Sequence, residues 1–285
     1  MTKIFLKEGK TDFLSSRRSW FFTNERLNNF LKNSFTHEDK LKKVLAVGGS
    51  GDFIFNLTSL LNIEKIDICD TEITAISVID LKTALFKEFN RIEMAKIYSN
   101  FEINNKNKIY LKINRHLHPA SRHIFENIFS HCQNNNFLKC LKKSKFWHKD
   151  SFFPGKHQND YILYLASPEG FKRMLNHLDK INIFQEDLIK TLILFKENYY
   201  DLIYVSNVLD GKSYCENKNL YLNILKQSLK RNAHLLLATC CHPSKIKKTL
   251  ENIGLKLDKE ELHKFKLIDS LKGHYNYSFL LFKNI

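Results

Sequence analysis

The feature that most constrains this chain is a short apolar run ending in glycines. Lys43-Val-Leu-Ala-Val47 enters Gly48-Gly-Ser-Gly-Asp52, and a helical pattern follows from Phe53 to Leu61. A buried strand, a turn that residues without a Cβ negotiate freely, and then a helix form the opening unit of a nucleotide-binding α/β sheet. The next strand reads Lys65-Ile-Asp-Ile-Cys-Asp70. Beyond it Ile73, Ile76, Ile79 and Leu81 recur at near-helical spacing and predict a helix to about Lys96.

The alternation returns late in the chain. Strands are predicted at Lys180–Gln185, Tyr200–Ser206 and Ala233–Thr239, helices at Leu220–Leu229 and Ser244–Ile253, and a closing pair near Leu262–Ile268 and Tyr277–Phe282. Seven such strands, the last two a hairpin, resemble the Rossmann-like α/β sheet of a class I S-adenosylmethionine-dependent transferase. This divides the chain into a helical cover over 1–40 (with its pattern at Thr11 to Leu31), an α/β domain over 41–96 and 161–285, and an insertion over 97–160. The insertion carries helix-length patterns and six of the twelve His, and a connection that long is expected to be structured. It is expected to cap the carboxyl edge of the sheet, where α/β folds bind ligands.

Composition narrows the functional classes. At 285 residues with 43% hydrophobic and 26% charged side chains the chain can bury a sizeable core, which excludes disordered and collagen-like readings. No apolar run reaches the length of a membrane span, and the start lacks the apolar core of a signal peptide. The six cysteines (Cys69, Cys132, Cys140, Cys215, Cys240, Cys241) contain no CxxC pair, so a reducing cytoplasm is the expected compartment and no zinc ribbon is expected. The net charge of +15 suits anionic partners. Only eight of the 45 basic residues are Arg, and 28 Asn accompany them, so compositional bias explains the charge as well.

The candidate site residues follow the strand ends. Gly48, Gly49, Ser50, Gly51 and Asp52 let backbone pass close to a ligand. Asp70, 18 residues beyond Asp52, is placed to accept both ribose hydroxyls of a nucleoside. Glu186 and Asp187 suit an adenine amino group, and Ser206 and Asn207 put polar atoms beside the reacting centre. Arg115 and Arg122 offer guanidinium forks for a carboxylate. Asp210, His116 and His118 are candidate bases. His116, His118 and His123 lack a Cys or carboxylate to complete a metal site, so no metal is expected.

These residues resemble a known family. Val44-Leu-Ala-Val-Gly-Gly-Ser-Gly-Asp52, Asp70, Leu81-Lys82, the segment Arg115-His-Leu-His-Pro-Ala-Ser-Arg122 and Ser206-Asn207-Val208 are similar to the S-adenosylmethionine:diacylglycerol 3-amino-3-carboxypropyl transferases of betaine-lipid synthesis and their relatives. The resemblance spans about residues 43–240. It departs after the second strand, where Asp70-Thr-Glu-Ile73 replaces the family's Asp-x-Asn-Pro. The resemblance implies S-adenosylmethionine as cofactor and transfer of the aminocarboxypropyl group to a lipid or small-molecule acceptor. Methyl transfer, and a basic nucleic-acid-binding protein without catalysis, are the alternatives.

One basic run is interleaved with aromatics, Lys139-Cys-Leu-Lys-Lys-Ser-Lys-Phe-Trp-His-Lys149. It reads equally as a peripheral contact with an anionic membrane, an RNA-binding stretch, or a solvated helix face over buried aromatics.

Overall fold

A computed structural model describes residues 2–6, 31, 41–99, 105–145, 147, 162–210, 214, 216–239, 243–258 and 278–285. Most of the expected cover over 1–40, the strand expected at 262–268, and Cys215, Cys240 and Cys241 lie outside the described residues.

Among the described residues eight strands form one sheet: β1 (Lys3–Phe5), β2 (Lys43–Val47), β3 (Lys65–Cys69), β4 (Ile181–Phe184), β5 (Tyr200–Val205), β6 (Leu229–Thr239), β7 (Leu255–Leu257) and β8 (Ser278–Asn284). Their order is β1-β4-β3-β2-β5-β6-β8-β7. The first six are parallel, and β8 runs antiparallel between β6 and β7. Without the extra edge strand β1, the seven remaining strands have the class I transferase arrangement that the sequence resembles, with the final pair antiparallel. The sixth of these seven is Leu255–Leu257.

Alternate residues of the parallel strands enter two apolar layers, as a sheet covered on both faces requires. Val44, Ala46, Ile66 and Ile68 pack beneath α1 (Asp52–Leu60) and α2 (Ile73–Glu88), and α7 (Pro168–Leu175) packs against α1. Leu45, Ile203, Val205 and Leu235 pack beneath α8 (Leu188–Ile193), α9 (Lys218–Ser228) and α10 (Pro243–Asn252). Asp67 points into the second layer with 0% exposure. It accepts bonds from Asn182 Nδ2 at 2.7 Å and the Tyr200 hydroxyl at 3.1 Å, which answer the cost of burying a carboxylate.

Helix α2 is buried along its whole circumference from Ile73 to Phe86. Its inner side meets the sheet, and its outer side is covered by the insertion helices α4 (Lys106–Ile113) and α5 (Pro119–His131). The helix expected to run to Lys96 breaks at Phe89-Asn90, where Asn90 and Glu93 close a capping box on α3 (Arg91–Tyr98). Insertion helix α6 (Phe137–Lys143) packs against α3, α4 and α5. In the basic run, Leu141 and Trp147 are inside: Trp147 is 1% exposed and lies parallel to Phe125 with centroids 6.0 Å apart. Among the described residues of this run, Lys139, Lys142, Lys143 and Lys145 are exposed above these buried groups.

Candidate functional site

The strand order reverses between β2 and β5, and in such sheets the crevice outside the carboxyl ends at the reversal is where ligands bind. The glycine loop sits there. Gly51 has φ of 77°, and a Cβ on it would lie 2.9 Å from Ile79 Cγ1, so glycine is required both by conformation and by the approach of α2. Gly48 is pressed against Asp70 and Ile79, and a Cβ on it would lie 3.1 Å from each. Gly49 differs: at φ of 48° it faces open space, with nothing within 4 Å of a Cβ. The loop thus backs onto α2 at Gly48 and Gly51 and opens at Gly49.

Asp70 follows β3 and braces the loop. Its Oδ2 accepts the Gly49 N–H at 2.9 Å, and its Oδ1 accepts the Glu72 N–H at 2.9 Å. Burial pushes its pKa up to about 6, against the pull of the Glu72 and Gly49 amides. The ends of neighbouring strands are bonded to one another here, Gly48 N to Cys69 O at 2.7 Å and Asp70 N to Phe184 O at 3.0 Å. This brings Glu186 and Asp187, just after β4, to the same edge. Asp187 caps α8 through Ile189 N at 2.8 Å and accepts from the Tyr221 hydroxyl at 3.2 Å, so much of its acceptor capacity serves the fold. Ser206 and the turn Asn207–Asp210 follow β5 at this edge; the side chains of Asn207 and Asp210 lie outside the described residues.

Other expected residues are placed elsewhere. Asp52 does not face a ligand: its side chain is 0% exposed, and it accepts from Lys82 Nζ at 2.8 Å, the Tyr164 hydroxyl at 3.0 Å and Ser50 Oγ at 3.0 Å. Ser50 is turned inward by that last bond. Arg115 and His116 both bond Glu88, the last residue of α2, and together hold its carboxyl below the usual range. Fifteen residue steps at 1.5 Å separate Ile73 from Glu88, roughly 22 Å, and α2 runs back from the carboxyl edge to the amino edge. Arg115 and His116 are therefore at the wrong end of the sheet to hold a cofactor carboxylate or serve as a base. His118 caps α5 and donates its N–H to Asp80, halfway along α2, at 2.8 Å. Arg122 bonds the carbonyls of Asn114 and Leu117 within its own segment. The insertion's sequence showed turn and helix but not the face of α2 on which it packs.

Lys82, Tyr164 and Tyr98 are the residues that motif reading did not place at the loop. All three are essentially unexposed and gather around Asp52 beneath it. Tyr164 is 112 residues from Asp52 in the chain, and no local pattern marks it. Among the described residues no group of three or more His, Cys, Asp or Glu is arranged to hold a metal.

Neither a protein-family model nor a curated protein matches the chain. Solved structures share its fold loosely. The N-methyltransferase NodS from Bradyrhizobium japonicum WM9 has a TM-score of 0.43 at 10% identity, covering 90% of this chain and 93% of its own. The [4+2]-cyclase SpnF has a TM-score of 0.44 at 8% identity, covering 94% and 86%. At these levels neither likeness bears on chemistry.

Proposed function

We propose that this protein binds S-adenosylmethionine at the carboxyl edge of its sheet and transfers a group from the cofactor to an acceptor. The observation that carries the reading is Asp70 bonded to the glycine loop at the reversal of strand order. An ionised carboxylate has about four acceptor positions, so the Gly49, Glu72 and Thr71 amides that engage it still leave acceptor capacity for a ribose hydroxyl. The open side of Gly49 gives the ligand a close approach to backbone. When bound, S-adenosylmethionine supplies an electrophilic carbon on its sulfonium. The chain's part is positioning: Asp70 holds the sugar and the loop fixes the approach, which is where displacement reactions gain most.

The segment Arg115 to Arg122, which carries part of the resemblance to the aminocarboxypropyl transferases, is engaged away from the loop, so that part of the resemblance gains no support at the site. Methyl transfer is the reaction we carry forward, with a lipid or small molecule as acceptor. The test incubates the protein with S-adenosylmethionine and a cell extract as acceptor pool, and separates the nucleoside products. S-adenosylhomocysteine is the expected product; methylthioadenosine would instead establish aminocarboxypropyl transfer. Absence of calorimetric binding to the cofactor would reject both.

A further inference from the structure

The polar cluster beneath the loop is fully buried, and burying its charges is costly. Lys82 is 0% exposed on α2, and its Nζ donates to the Ser50 carbonyl at 2.9 Å and to Asp52 Oδ1 at 2.8 Å. Desolvation lowers the Lys82 pKa, and Asp52 opposes that shift. On the same helix Ser77 Oγ bonds Ile73 O and Thr83 Oγ1 bonds Ile79 O, both locally, whereas Asp80 accepts the His118 N–H and Lys82 reaches the glycine loop.

A buried ion pair is seldom more stabilising than an apolar pair of the same volume, so stability does not account for it. What the pair does is geometric. The Ser50 carbonyl it holds belongs to the peptide between the two left-handed glycines, Gly49 and Gly51. Asp70 restrains that stretch from the β3 side through Gly49 N–H, the Gly51 N–H to Gly48 O bond at 2.8 Å closes the turn, and Lys82 restrains it from the α2 side. Without Lys82 the Ser50 carbonyl loses this donor and Asp52 loses its counter-ion.

We propose that Lys82 is a positioning residue that holds the Gly49–Gly51 backbone in the conformation that receives the ligand, with Asp52 fixing its ammonium and Tyr164 fixing Asp52. The inference rests on the cofactor reading for the identity of the ligand, but the loop's dependence on Lys82 is measurable without any ligand.

The experiment compares the parent with Lys82→Met and with Lys82→Met/Asp52→Asn, which removes both charges of the pair. In the free proteins, amide hydrogen exchange of Gly49 and Gly51 is expected to quicken at least tenfold in both variants, while Val44 to Val47 of β2 keep their protection. The double variant is expected to recover the unfolding midpoint without recovering slow loop exchange. Should Lys82→Met not fold, the double variant carries the comparison. Loop exchange equal to the parent's, or quickening spread evenly through β2, would overturn the proposal, because a purely structural pair acts on the whole element. A parallel calorimetric titration with S-adenosylhomocysteine separates the two readings. A parent that binds and variants that bind at least tenfold more weakly support positioning. A parent that does not bind rejects the cofactor and leaves the exchange result to decide on Lys82.

Discussion

Asp70 has two duties that make opposite demands on its charge. Burial favours its protonated form, with a pKa near 6 in the folded chain, whereas ribose hydroxyls need an ionised acceptor. A pKa raised above the ordinary 3.8 means stability that is present at low pH and lost as pH rises through about 6. Ligand affinity has the opposite slope. Calorimetric titration with S-adenosylhomocysteine should show weakening as pH falls below about 6, approaching tenfold per unit where Asp70 must ionise to bind. Asp70→Asn should remove this slope and weaken binding at neutral pH by roughly tenfold or more, since bonds to charged groups contribute about 1.5–3 kcal/mol. A slope that survives the substitution would assign the titration to another group. His177 supplies the reverse case for stability. Its Nε2 accepts the Ile63 N–H at 2.9 Å and its Nδ1 bonds the Arg173 carbonyl, so the neutral ring is built in, and burial lowers its pKa below 6.5. Its contribution is complete above pH 6.5 and is lost as pH falls below that value. Urea midpoints measured across this window should therefore depend less steeply on pH in His177→Gln than in the parent. At this scale Asp70 was legible because it ends a strand at a readable spacing from the loop. Asp52 was not, since its orientation is decided by Lys82 and Tyr164, which only the folded packing brings to it.

The β2-loop-α1 unit shows what an element reveals before it is folded. Its strand and helix follow from apolar runs and glycines, but the three glycines do different work. Gly51→Ala meets both a left-handed φ of 77° and contacts at 2.9 Å and 3.0 Å, from Ile79 and Phe55. Left-handed backbone alone costs a non-glycine residue roughly 1–2 kcal/mol, and the crowding adds to it. Gly49→Ala meets the backbone penalty but no contact. Gly51→Ala should thus lower the thermal midpoint more than Gly49→Ala, whereas Gly49→Ala should weaken the ligand out of proportion to its modest loss of stability. Equal effects of the two on both quantities would contradict the open side of the loop. The break between α2 and α3 was readable from Asn90 and Glu93, but the apolar period runs through it and masks it. The basic run was ambiguous for a different reason. Aromatics beside lysines suit a bilayer and a core equally, and burial of Leu141 and Trp147 is a tertiary fact. In a Trp20→Phe protein, Trp147 emission should be unchanged by anionic vesicles, and any attraction should fade with added salt. A blue shift would place Trp147 in lipid.

Across the whole molecule, the sheet is closed at one edge by a strand too short to announce itself. β1 has three residues, of which Lys3 and Phe5 are exposed, and its sequence carries no alternation long enough to read. β7 was missed for the same reason, having three residues after the left-handed turn at Gly254. The central strands were legible because burial on both faces writes continuous apolar runs, and edges lack that signal. Yet β1 has a defined task. It pairs with β4 from Lys3↔Asn182 to Phe5↔Phe184, stacks Phe5 on Phe184 at 4.9 Å, accepts the Gln185 N–H on Phe5 O at 2.9 Å, and bonds Thr2 Oγ1 to the Leu178 carbonyl at 2.8 Å. These contacts restrain β4 and the turn after it, beside Asp70 at the candidate site. Removing residues 2–6 would leave β4 with an unpaired edge, which invites pairing between chains. Each lost bond contributes roughly 0.5–1.5 kcal/mol net, and about 1 kcal/mol moves the midpoint of a chain near this size by about 2–4 °C. The truncated protein should therefore unfold several degrees lower and, on light scattering, associate more readily with rising concentration than the parent. An unchanged midpoint together with unchanged association would show that β4 is held by β3 alone, through the pairs Ile66↔Ile181 to Cys69↔Phe184, and that β1 is dispensable to the sheet.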